Sequence, residues 1–155
     1  MAPETISITS RAFSHQESIP NRFSCDGEDI SPALSWDGAP DETESFALIM
    51  DDPDAPGRTF VHWVYYDIPS ETSSLPENVS AAERPATGGV QGKNNFRKFG
   101  YGGPCPPGGE HRYFFKIYAL DTTLGLDPGA SKSDVLKAME GHVLAQGELV
   151  GTFAR

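Results

Sequence analysis

The stretch Tyr101-Gly102-Gly103-Pro104-Cys105-Pro106-Pro107-Gly108-Gly109 limits the fold of this chain more than any other. Its three prolines lack backbone donors and its four glycines lack side-chain restraint, so neither a helix nor a central strand can run through it. It must be a shaped loop. The residues directly after it behave oppositely. His111 to Leu120 alternates with the period of a strand and places His111, Tyr113, Phe115, Ile117 and Ala119 on one side. Composition extends this pattern to the whole chain: 16 glycines and 13 prolines among 155 residues, with 37% hydrophobic residues, favour short strands joined by turns over a helical bundle. A single domain, 1–155, is long enough to bury one core.

Glu44 to Asp51 is a nearly continuous apolar run bounded by turn formers, the pattern of a strand buried on both faces. It delivers the chain to Asp52. Phe60 to Ile68 reads as the next strand, and strict alternation puts Phe60, His62, Val64, Tyr66 and Ile68 on one face and Val61, Trp63, Tyr65 and Asp67 on the other. Leu75 to Phe99 is polar and rich in Gly, Asn and Pro, as expected of a long surface loop framing a site. One helix is expected from Lys132 to His142, opened by Ser131 with Asp134 at capping-box spacing, its apolar stripe of Val135, Leu136, Met139 and Val143 serving core packing. Leu144 to Phe153 alternates weakly and closes a sheet.

Charge narrows the function. With 22 acidic and 12 basic residues the formal charge is -10, and such a surface repels phosphate backbones and anionic lipid headgroups at long range. Nucleic-acid binding and stable membrane association are therefore not expected, and any anion site must be local. No apolar run approaches a bilayer span, and Met1-Ala2-Pro3-Glu4 lacks the basic start of a targeting segment, so the expected location is cytoplasmic. Cys25 and Cys105 are the only cysteines and read as two reduced thiols, although both lie in loops flanking the candidate site and one bridge between them stays open.

Asp52, His62 and His111 each adjoin apolar β-type sequence, where a charge or imidazole is costly unless paired or used. They look like parts of one polar pocket, a small anion-binding site. Asp54 lies in the turn Asp52-Pro53-Asp54-Ala55-Pro56 and is read as a turn-fixing residue, while Arg112 faces away from His111 and Tyr113, toward an ion pair with a carboxylate. Trp36 and Trp63 read as packing residues, with Trp63 also placed to stack near a pocket rim.

Several motifs in this order and spacing resemble the phosphatidylethanolamine-binding protein (PEBP) family, also called Raf kinase inhibitor proteins, most closely its compact bacterial and archaeal branch. They are Cys25-Asp26-Gly27, Ser31-Pro32-Ala33-Leu34-Ser35-Trp36, Asp52-Pro53-Asp54-Ala55-Pro56, His62-Trp63-Val64, Tyr101 to Pro107, and Gly109-Glu110-His111-Arg112. The resemblance implies a mainly β, Greek-key fold with a large antiparallel sheet packed on a smaller one and one or two short helices. It implies a cavity lined by Asp52, His62, His111 and Tyr113, with Gly103 and Pro104 shaping its wall. Family members hold phosphate, phosphorylethanolamine or similar anions there. A carboxylate beside an anion site is an apparent misfit. Asp52 can nevertheless orient an imidazole and raise its pKa, which would make the pocket cationic near neutrality and anion binding stronger as pH falls.

The expected function is therefore non-enzymatic: binding of phosphate-type groups, with regulation or inhibition of partner proteins such as kinases, without cofactor or metal. Two alternatives stand beside it. One is serine protease inhibition through an exposed loop around Leu75 to Arg97. The other is hydrolysis by a metal held at Asp52, His62 and His111, or by a Cys105 thiol, although the two prolines after Cys105 remove backbone donors that an oxyanion would need. Eukaryotic members carry a further C-terminal helix over the cavity, whereas this chain stops at Arg155 after its last strand. A more open cavity or a homodimer is expected in consequence.

Overall fold

The computed structural model describes residues 4–155; the reading of Met1 to Pro3 lies outside them. Strands dominate: β1 (Glu4–Thr5), β2 (Ser7–Thr9), β3 (Leu34–Asp37), β4 (Ser45–Asp52), β5 (Phe60–Pro69), β6 (Ser74–Leu75), β7 (Val90–Gln91), β8 (Glu110–Leu120) and β9 (Val143–Ala154), with one helix, α1 (Lys132–Met139), and a 3-10 turn at Asn21–Phe23. Six strands form a large sheet in the order β1-β9-β8-β4-β5-β7, and β2-β3-β6 form a smaller one. β4 and β5 are a hairpin, and the chain returns to place β8 and β9 on the other side of β4, a Greek-key return. The large sheet is mixed, not purely antiparallel as expected, because β1 joins β9 in parallel while its other pairs are antiparallel.

Two cores sit on the two faces of the large sheet. Between the sheets, Ile8, Leu34, Trp36 and Leu75 meet Phe46, Leu48, Met50, Trp63, Phe115 and Ile117, and the Trp36 and Phe46 rings pack edge to face at 5.5 Å. On the other face Ala47, Ile49, Val64 and Tyr66 are covered by Val135 and Met139 of α1. β4 is buried along its whole length because it separates these cores. Gly147 of β9 is needed where the N-terminal segment crosses: a Cβ there would collide with the backbone carbonyl of Ile6.

Three further expectations need correction. α1 ends at Met139, earlier than His142, because Glu140 leaves the helical region and Gly141 follows at φ 80°. Its capping box of Ser131 and Asp134 is formed, Val135 and Met139 are buried, and Leu136 is left exposed. The strict alternation read along β5 fails because the strand carries two bulges. Met50 faces Trp63 while Asp51 faces Val61, which leaves His62 as an extra residue, and a second irregularity lies near Asp67, at φ 52°. Trp63, Tyr65 and Ile68 therefore enter the inter-sheet core, with Val61, Val64 and Tyr66 on the helix side. Finally, Cys25 and Cys105 are joined by a disulfide and are not free thiols. They are 80 residues apart in sequence, and only the folding of two loops against each other brings them together.

The segment from Leu75 to Phe99 is mostly irregular but is tied down. Gln91 is buried, accepts from the indole Nε1–H of Trp63 at 2.8 Å, and donates to the Ser80 and Ala82 carbonyls at 2.7 and 2.8 Å. Trp63 is fully buried, so it is a packing residue away from any rim. Among the described residues no helix is long and apolar enough to cross a membrane.

Candidate functional site

One end of the large sheet carries a cavity of about 180 Å3, lined by Asp52, His62, His111 and Tyr113 together with Phe60, Phe96, Ala55, Pro56, Cys105, Pro106 and Pro107. β4 delivers Asp52 at its last residue, β5 delivers His62 at its bulge, and β8 delivers His111 and Tyr113 from alternate positions on one face. The bulge is what brings His62 in: its ring lies 5.2 Å from that of Tyr113, edge to face, although its neighbour Trp63 also points to the inter-sheet side.

Both imidazoles are held by their Nδ1 atoms. His62 Nδ1–H donates to the Gly102 carbonyl at 2.7 Å, and His111 Nδ1–H donates to Asp52 Oδ2 at 2.7 Å. A carbonyl or an ionised carboxylate only accepts, so in each ring the proton sits on Nδ1 and Nε2 is left for the cavity. The other carboxylate oxygen of Asp52 accepts from the Asp54 backbone N–H at 2.8 Å, which closes the turn that leads out of β4. Burial pushes the His62 pKa below its ordinary 6.5, against the opposing pull of the Gly102 carbonyl, the Asp52 charge and the Gly103 carbonyl. His62 is therefore neutral near pH 7. For this ring desolvation outweighs the pull of the Asp52 charge.

Tyr113 is fully buried and its hydroxyl has no hydrogen-bond partner. Burial, then the Asp52 charge and the proximity of its carboxylate to the hydroxyl, raises its pKa above the ordinary phenol value, while the Cys105 backbone N–H nearby acts to lower it. The phenol stays protonated at any working pH and remains a donor.

Gly103 and Pro104 stand behind the cavity surface, which on this side is formed by Cys105, Pro106 and Pro107. Gly103 N–H donates to Asp29 Oδ1 at 2.7 Å, and a Cβ at this position would collide with the Phe23 carbonyl, so glycine is what lets the two loops lie flat against each other. Arg112 points away from the cavity and makes the ion pair expected of it, donating Nη2–H to Asp54 Oδ1 and both Nε–H and its backbone N–H to Asp54 Oδ2, each at 2.9 Å. Asp54 thus fixes its turn by bonding across to β8, and Arg112 holds its carboxyl at about 2, below 3.8.

The sequence reading missed Phe60 and Phe96. Their rings pack at 4.8 Å, and each also meets His62, at 5.0 and 5.4 Å. Phe96 sits in the polar 75–99 segment on a turn pinned to β5, where Val61 N–H donates to Asn95 Oδ1 and Asn94 Oδ1 accepts from the Phe96 and Lys98 N–H groups. An aromatic residue isolated in a polar loop, in Asn94-Asn95-Phe96-Arg97, was the available signal. Among the described residues no group of three or more His, Cys, Asp or Glu side chains is gathered to hold a metal.

Comparison with known proteins agrees with this architecture. The family model described as "Phosphatidylethanolamine-binding protein" matches residues 9–154. The UPF0098 protein of Methanothermobacter thermautotrophicus is 55% identical over 150 residues, covering 97% of this chain and 99% of its own, and the UPF0098 protein of Aquifex aeolicus is 52% identical, covering 96% and 88%. Among solved structures, a putative PEBP homolog from Chlamydia trachomatis superposes with a TM-score of 0.90 at 39% identity, covering 98% of this chain and 99% of its own. YbcL of E. coli, described as a new member of the mammalian PEBP family, superposes with a TM-score of 0.89 at 33% identity over 97% and 98% of the two chains. Fold, motifs and extent of match agree: this chain belongs to the phosphatidylethanolamine-binding protein family.

Proposed function

We propose that the cavity binds a small phosphate-type group, such as a phosphorylethanolamine headgroup or the phosphate of a modified residue, and that the protein works by binding, regulating partner proteins such as kinases. One observation carries this reading: the Tyr113 hydroxyl is buried in the cavity wall without a completed hydrogen bond among the described residues, with the Asp52 carboxylate close by. A buried donor left unpaired costs about 1–3 kcal/mol, and an anionic oxygen in the cavity would recover it. His62 and His111 line the same space, and with their Nδ1 atoms engaged their Nε2 atoms become donors when protonated. The cavity volume of about 180 Å3 suits a headgroup and not a whole lipid.

Binding is favoured over catalysis by the state of Cys105. The Asp52–His111 pair resembles the orienter and base of a nucleophilic triad, but the thiol that would complete it is consumed in the bridge to Cys25. Calorimetric titration with phosphorylethanolamine at pH 6 tests the proposal. Saturable one-to-one binding that His62→Ala abolishes is expected; no heat beyond dilution in the wild-type protein would refute it.

A further inference from the structure

Cys105 lines the cavity and is also covalently tied to a second loop. The wall segment is fastened to residues 21–29 at several points: Tyr101 hydroxyl to the Phe23 carbonyl at 2.7 Å, Gly103 N–H to Asp29 Oδ1 at 2.7 Å, and Cys25 N–H to the Pro104 carbonyl at 3.0 Å. All of these precede Cys105. Beyond it, Pro106 and Pro107 have no N–H to offer, and the next backbone anchor is the mutual pair between Gly109 and Arg155 at 3.1 Å. The bridge is thus the last direct fastening of the cavity wall to the 21–29 segment. It holds the residue whose backbone N–H approaches the unpartnered Tyr113 hydroxyl.

Arg155 lies across the same spot. Its Nη1 is 3.4 Å from Cys105 Sγ and 3.4 Å from the Pro106 carbonyl, and its Nη2 donates to Asp26 Oδ1 at 3.0 Å. A guanidinium beside a sulfur stabilises the thiolate, which favours Cys105 as the leaving group when the bridge is attacked and stabilises the reduced pair. Both cysteines are half-buried, so a small dithiol has access.

We propose that the Cys25–Cys105 bridge is a working part of the anion site, so that oxidation of the pair and occupancy of the cavity are thermodynamically linked. The proposal rests on the anion-binding reading above. In the oxidised state the bridge holds the Cys105 N–H and the Pro106-Pro107 wall in place for the ligand. On reduction, one thiolate of a dithiol attacks Cys25 Sγ, the S–S bond breaks and Cys105 leaves as a thiolate. The second thiolate of the dithiol then releases Cys25. Two electrons and two protons pass to the protein, and the dithiol ends as its cyclic disulfide. The freed wall binds phosphate-type groups more weakly, and by reciprocity a bound anion protects the bridge.

The test is calorimetric titration of phosphorylethanolamine into the oxidised protein, the same protein after dithiothreitol reduction, and Cys25→Ser, each checked for native amide dispersion by NMR. The expected result is affinity about tenfold lower in the reduced protein and in the variant, both still folded. A second measurement uses the wild-type protein alone: the fraction reduced in dithiol redox buffers with and without saturating phosphorylethanolamine. A tenfold preference corresponds to a shift of about 30 mV toward resistance to reduction. Equal affinity in the oxidised and reduced forms, or an unshifted potential, would overturn the proposal. So would reduction that unfolds the chain, since the bridge would then be a structural staple only. Absence of binding to the oxidised protein would instead overturn the reading of the cavity itself.

Discussion

His111 Nδ1–H donates to Asp52 Oδ2 at 2.7 Å between two buried side chains on neighbouring strands. The pair fixes the tautomer of the imidazole and leaves its Nε2 for the cavity, and the same carboxylate closes the turn by accepting from Asp54 N–H. A negative group beside the proposed anion site is thereby explained as a positioning device. Replacing Asp52 with Ala releases both donors, and a loss of about 2 kcal/mol in unfolding free energy is expected by urea denaturation. Phosphate affinity should fall as well, because the His111 ring is no longer oriented.

Tyr113→Phe separates binding from stability. Removing a buried hydroxyl that has no partner should leave the free protein as stable or up to about 1 kcal/mol more stable. Affinity for phosphorylethanolamine should fall by about ten- to a hundredfold, the worth of one hydrogen bond to a charged group. Thermal melts and calorimetry on the same sample check both halves.

The lowered pKa of His62 sets the pH response. Because burial disfavours the charged ring in the folded state, the unfolded chain binds the proton more readily, so the stability of the free protein should decline as pH falls through 6.5 toward the lowered folded value. Anion binding needs the proton on Nε2, so affinity should rise over the same interval, and added phosphate should offset the stability loss. Denaturation at pH 7.5 and 5.5, with and without phosphate, reads both signs.

The Asp54–Arg112 pair acts at lower pH. Asp54 is held at about 2 against 3.8 by Arg112, so its contribution is present above about pH 4 and is lost as pH falls toward about 2. The pair is partly solvent-exposed, and Asp54→Asn should cost about 0.5–1 kcal/mol at pH 7 and nothing further at pH 2. A stability profile of the two proteins from pH 7 to 2 tests this.

Gly103→Ala probes the cavity wall. The added Cβ meets the Phe23 carbonyl and Asp29, and pushing the two loops apart should cost about 1–3 kcal/mol and shift the His62 ring signals through Gly102. Gly108→Ala, where a Cβ meets nothing, should leave both unchanged.

The elements legible from sequence were those long enough to show a period. β4, β8 and α1 stand close to where the apolar run, the alternation from His111 and the Ser131 box placed them, and β9 near its expected span. β1, β2, β3, β6 and β7 have two to four residues each and show no period, so their places come from tertiary pairing. β5 misled because a bulge at His62 breaks the two-residue repeat on which the face assignment depended. Asp52, His62, His111 and Tyr113 were legible through motifs. Phe60 and Phe96 were not, because their contact with His62 depends on a turn pinned by Asn94 and Asn95. The disulfide could not be read because its cysteines are 80 residues apart.

The most direct test of the central claim is an NMR titration of the His62 and His111 ring nitrogens with phosphorylethanolamine at pH 6 and pH 8. Saturable shifts of both Nε2 signals are expected, larger and tighter at pH 6, with the Nδ1 signals held by Gly102 and Asp52. Ring signals that do not respond at either pH, in a protein that is folded and oxidised, would contradict it.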